Sequence, residues 1–74
     1  MEKKSRNILV LKTSIVTSFD LLRAGMLLFP HPQIIDWHVD LEDCDKVLRI
    51  ECDELNEVDI VGILREAGIE AERL

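Results

Sequence analysis

The residues with most chemistry to offer are two cysteines and two histidines in a chain of 74: Cys44, Cys52, His31 and His38. Thiolates and neutral imidazoles bind soft and borderline metal ions, and a thiolate is also a nucleophile. Their spacing argues against a shared site. The cysteines lie eight positions apart and flank one extended segment. At about 3.3 Å per residue that sets them some 25 Å apart, whereas a disulfide needs Cα atoms within about 7 Å. Cys52 is in phase with Leu48 and Ile50, which makes it a buried, inert thiol. Cys44 sits among Glu42, Asp43 and Asp45, and negative neighbours raise a thiol pKa and slow its reactions. His31 lies between Pro30 and Pro32. His38 lies between Asp36 and Asp40 on a strand, where alternate residues stand about 7 Å apart and converge on one ion only with strain. These four residues are the candidates for metal ligation, and the spacing speaks against a bound metal. No cofactor is implied.

Catalysis finds little else to use. There is no Ser–His–Asp arrangement, no glycine-rich phosphate loop and no carboxylate pair with a pocket around it. The expectation is therefore a binding module and not an enzyme. Net charge is −6, unevenly placed. Residues 1–35 hold five basic against two acidic groups, and residues 36–74 hold four against thirteen. An acidic surface repels phosphate backbones, which argues against nucleic acid. No apolar run approaches the ~20 residues of a membrane helix. The polar start Met1–Arg6 leads into no secretory signal, so a cytoplasmic location is expected.

The elements that must position these groups can be read along the chain. Asn7–Thr13 is a short apolar run of β-formers, with Ile8, Val10 and Lys12 on one face and Leu9 and Leu11 on the other. Thr17 followed by Asp20 has the pattern of a helix start. Phe19, Leu22, Met26 and Phe29 follow at helical spacing and form the expected inward stripe. Gly25 weakens the middle of that helix, and Pro30 and Pro32 end it. Ile34–Asp40 alternates, with Ile35, Trp37 and Val39 facing in. After the polar turn Glu42–Asp45, Lys46–Cys52 alternates again with Leu48, Ile50 and Cys52 facing in. Asn56 caps a second helix whose stripe is Val58, Val61, Leu64 and Ala67, widened by Ile60 and Ile63. Gly68 stands where a left-handed cap belongs, and Ile69–Leu74 suffices for a last strand.

The order is β-α-β-β-α-β over residues 1–74, taken as a single domain. Its packing solution is an α+β, ferredoxin-like two-layer sandwich, with antiparallel sheet order 4-1-3-2 and two helices on one face. The first and third strands are then central. Ile8, Val10 and Val47 meet on the uncovered face, ringed by Lys12, Arg49, Glu51 and His38, as a possible interaction face. No aromatic residue falls on that face, which speaks against base stacking.

With this layout the chain resembles the heavy-metal-associated domains found as copper chaperones and at the front of metal-pumping ATPases. The resemblance is carried by the first strand ending in Lys12-Thr13, by Ile35–Leu41, by Asp45–Ile50 and by Ile60–Ile69 with its closing Ala67-Gly68. It implies a loop after the first strand in which two cysteines, two residues apart, hold a soft metal ion. The matching positions here are Thr17 and Asp20, with Ser18 and Phe19 between them. A hydroxyl and a carboxylate do not replace two thiolates for copper(I). The metal site is degenerate, and no residue inherits a ligand role. The expected partner is another protein or a second copy, through the open sheet face or the edge strand Ile34–Asp40. Metal handling through Cys44, Cys52, His31 or His38 is the alternative. An amino-acid-binding regulatory role rests on fold analogy alone.

Overall fold

The computed structural model describes residues 6–74; the basic start at 1–5, on which the reading of the N-terminal segment partly rested, lies outside them. The elements are β1 (Arg6–Thr13), α1 (Ser18–Leu28), β2 (Ile34–Asp40), β3 (Val47–Asp53), α2 (Glu57–Arg65) and β4 (Ala71–Arg73). The strands form one antiparallel sheet in the order β2-β3-β1-β4, the order expected from the element sequence. No helix among the described residues is long and apolar enough to cross a membrane.

The core is built from the inward phase of the two central strands. Leu9 and Leu11 of β1 pair with Ile50 and Leu48 of β3, and these four are buried with Cys52 beneath the helices. α2 contributes Ile60 and Leu64, and the segment after it adds Ala67 and Ile69. Gly68 takes the left-handed conformation at φ 75°, as its place after the helix required. Val58, assigned above to the inward stripe, is exposed, because the buried stripe runs through Ile60, Leu64 and Ala67, with Ile63 partly buried beside it.

α1 corrects the sequence reading more deeply. Its buried residues are Ala24 and Leu28, with Leu21 and Leu27 partly buried beside them. The expected inward stripe faces out: Phe19 is 65% exposed, Leu22 60%, Met26 65% and Phe29 89%. Both stripes obey helical spacing, so periodicity alone could not choose between them. Size decides. Gly25 lies against the indole of Trp37, and a Cβ there would stand 3.2 Å from Trp37 Cζ2. The helix can come close enough to the sheet to cover Trp37 only by presenting its small residues.

β2 carries a second correction. A bulge separates Ile34, paired with Cys52, from Asp36, paired with Glu51. Ile35 is the extra residue, and it points out of the core phase that Trp37 and Val39 keep.

The glycines of the two helices give opposite expectations. Gly62 has nothing within 4 Å of a built Cβ. Gly62→Ala therefore raises stability by about 0.5–1 kcal/mol through helix propensity. Gly25→Val forces the Trp37 contact apart and lowers stability by about 1–3 kcal/mol. Denaturant unfolding followed by Trp37 emission measures both.

Candidate functional site

The loop after β1, Ser14–Thr17, is the place to look for a site, and its polar groups are committed to local structure. Ser14 N donates to Glu70 O at 2.9 Å, and Ser14 Oγ accepts from Glu70 N at 2.9 Å. Ile15 is fully buried, so the loop is pinned from below as well as from the side. Thr17 then caps α1. Its Oγ1 accepts from Asp20 N at 3.0 Å, and Asp20 Oδ2 accepts from Val16 N at 3.1 Å and Thr17 N at 3.3 Å. The two side chains thus complete a reciprocal cap, satisfying amides that a helix start leaves open. Asn56 and Asp59 build the same device at the start of α2.

Asp20 is held below the usual carboxylate range. The amide of Val16 is the main cause, followed by the Thr17 amide and hydroxyl and by the charge of Arg23. Arg23 escaped the sequence reading. Its guanidinium donates to the Ala67 carbonyl, stands 4.0 Å from Asp20 Oδ1 and lies 5.8 Å from the centre of the Phe19 ring. It ties α1 to the end of α2. The available signal was its isolation: Asp20 and Arg23 are the only Asp, Glu, Lys or Arg residues between positions 13 and 35.

The four sequence-nominated metal ligands are not brought together. Cys52 is buried in the core, with Sγ 3.7 Å from Leu55 O, and burial pushes its thiol pKa up. Cys44 is exposed in the β2–β3 turn. His38 is on the open face of β2, opposite Arg49, and His31 lies in the turn between α1 and β2. The seven residues of β2 separate the His31 end from the Cys44 end by about 20 Å. Among the described residues, the grouping of three possible ligands is Asp43, Cys44 and Asp45. Asp43 Oδ1 already accepts from Asp45 N at 2.8 Å as part of the turn.

The open sheet face has alternating character. Ile8 lies opposite Glu51, Val10 opposite Arg49, and Val47 opposite Lys12. Ile8 is exposed, while Val10 and Val47 are half-buried. Arg6 pairs with Glu51 at 3.2 Å and Lys12 with Glu72 at 3.7 Å. The apolar residues there are separated by charges. The larger apolar surface is the outer stripe of α1, which with Trp37 lines an open groove of about 650 Å³.

No family model and no curated protein matches the chain. Solved structures do. The apo heavy-metal-associated domain of a copper chaperone for superoxide dismutase matches with TM-score 0.82 at 15% identity, over 100% of this chain and 72% of that one. The solution structure of a candidate copper-ion-binding protein from Bacillus anthracis str. Ames matches with TM-score 0.78 at 12% identity, over 95% of this chain and 100% of that one. The fold is therefore that of heavy-metal-associated domains, as the sequence resemblance implied. The chain has no cysteine pair two residues apart, and its loop after β1 has no cysteine at all. The residues of that loop do not fit a soft metal ion.

Two outcomes follow from these surroundings. In the native protein Cys44 reacts stoichiometrically with a thiol reagent at neutral pH, and Cys52 reacts only on unfolding; mass mapping after labelling reads both. Because the folded-state pKa of Asp20 is depressed, its contribution to stability is complete above the ordinary carboxylate range and lost as pH falls through the folded value. Asp20→Asn therefore lowers the melting temperature at neutral pH, and the gap from wild type closes in acid.

Proposed function

We propose that this chain is a non-catalytic protein-interaction module on a heavy-metal-associated fold, acting as one unit over residues 1–74. The observation that carries the reading is the Thr17–Asp20 cap. The positions where the resemblance places two thiolates hold a hydroxyl and a carboxylate, and both are engaged with backbone amides. A group used to close a helix start is not free to grip an ion, and neither oxygen has the softness copper(I) requires. The wide dispersal of Cys44, Cys52, His31 and His38 supports the same reading.

Interaction then falls to surface. Ile8, Val10 and Val47 on the open sheet face are one proposed contact set. Their alternation with Arg49, Glu51 and Lys12 suits a partner that brings charges of its own.

Competition for copper(I) against a chromophoric chelator tests the proposal. The reduced wild-type chain leaves the chelator complex intact, while the double variant Thr17→Cys/Asp20→Cys withdraws one equivalent of copper(I). Stoichiometric withdrawal by the wild type, abolished by Cys44→Ser, would turn the reading to metal handling.

A further inference from the structure

The outer face of α1 is the feature that neither folding nor the loop accounts for. Phe19, Leu22, Met26 and Phe29 recur at intervals of three, four and three residues and keep 60–89% of their surface in water. Taking ~150–250 Å² for a fully exposed aromatic, with somewhat less for Leu and Met, this stripe exposes on the order of 500 Å² of apolar surface. That is large for a chain of 74 residues. Leu22, Met26 and Phe29 of this stripe are also walls of the groove between α1 and Trp37, which Gly25 floors and Leu21 borders.

We propose that this face pairs with the same face of a second copy of the chain. Three observations select that occupant. The first is charge. The chain carries −6 overall, so two copies repel over most of their surface. The segment around α1 carries one charge of each sign, Asp20 and Arg23, 4.0 Å apart, and so no net charge. Here two acidic copies meet without placing like charges together.

The second is shape. A two-fold axis crossing α1 between Gly25 and Met26 sets Phe29 of one copy over Leu22 of the other. Met26 then falls over the partner's Gly25. Phe29, the most exposed of the four, then reaches the partner's groove, where Trp37, Leu22 and Met26 can cover it. The face carries both halves of its own complement, as a two-fold contact requires.

The third is area. Two stripes meeting bury on the order of 1,000 Å² in total, the lower end of what a specific interface needs. A weak, reversible dimer is the corresponding expectation. The inference deepens the interaction-module reading by naming its partner, and it rests on that reading.

The test uses the full chain, with its single tryptophan as reporter. Sedimentation velocity from low micromolar to near-millimolar concentration shows a monomer–dimer equilibrium. Trp37 emission moves to shorter wavelength over the same range as water leaves the groove. Met26→Glu with Phe29→Glu weakens the dimer by about 30-fold or more, the loss expected of an interface hot spot. Leu22→Glu, a second exposed position, weakens it by itself. Circular dichroism verifies that each variant is folded. Val58→Ser, at an exposed apolar residue of α2 outside the stripe, leaves the equilibrium unchanged.

A wild-type chain that stays monomeric at every concentration overturns the proposal. So does a dimer that resists the α1 changes and dissociates on Val10→Lys with Val47→Lys, at the sheet-face contact set. A monomer whose Trp37 emission shifts on adding phosphatidylcholine vesicles overturns it too, in favour of a lipid surface. None of these outcomes alters the copper(I) competition, so failure of the dimer and failure of the parent reading are told apart.

Discussion

The contact on which the arrangement depends is that between Gly25 and the indole of Trp37. Trp37 sits on β2, at the edge of the sheet, where a large ring needs a cover that the central strands do not supply. α1 provides it by approaching with its smallest residues, Ala24 and Gly25, and by driving Leu28 into the core. Once that approach is fixed, the rotation of the helix is fixed. Every larger apolar side chain a half-turn away must face solvent. The aromatic stripe on the outside is thus the geometric counterpart of the small stripe inside.

Arg23 then locks this rotation. It stands at the border between the two faces and reaches the Ala67 carbonyl at the end of α2, where the unpaired carbonyls of a helix terminus favour a cation. The same guanidinium faces Asp20, whose carboxylate closes the start of α1. Loop, first helix and second helix are joined through one short polar chain. The corner after β1 is held by hydrogen bonds between hard oxygen and nitrogen groups.

Much of this was legible in the sequence because several local rules agreed. Thr17 with Asp20, Asn56 and Gly68 each announced a helix end by its own mechanism. The alternation of Leu48, Ile50 and Cys52 could be satisfied in only one strand phase. The pairing order followed from the element order. What was not legible had one cause in common: two arrangements satisfied the same pattern. α1 has apolar residues on both sides, and spacing carries no information on which side is covered. The decisive quantity was the room above Trp37, a tertiary fact. Ile35 was misplaced because alternation assumes an unbroken ladder, and one inserted residue reverses the phase behind it. The site followed the same logic. The absence of a thiol pair is a property of composition and could be read directly. The use of Arg23 as a tie between helices depends on where the end of α2 lies in space.

The bulge in β2 has a consequence for how the sheet ends. An edge strand offers a row of unpaired amides and carbonyls to any passing chain. Here the insertion at Ile35 throws that row out of register near its beginning, and Asp36, His38 and Asp40 crowd one side of what remains. The opposite edge, β4, is three residues long. The two borders differ: β2 is long but broken near its start, and β4 is short. A strand added to this sheet would find its ladder interrupted near the start of one border and short at the other.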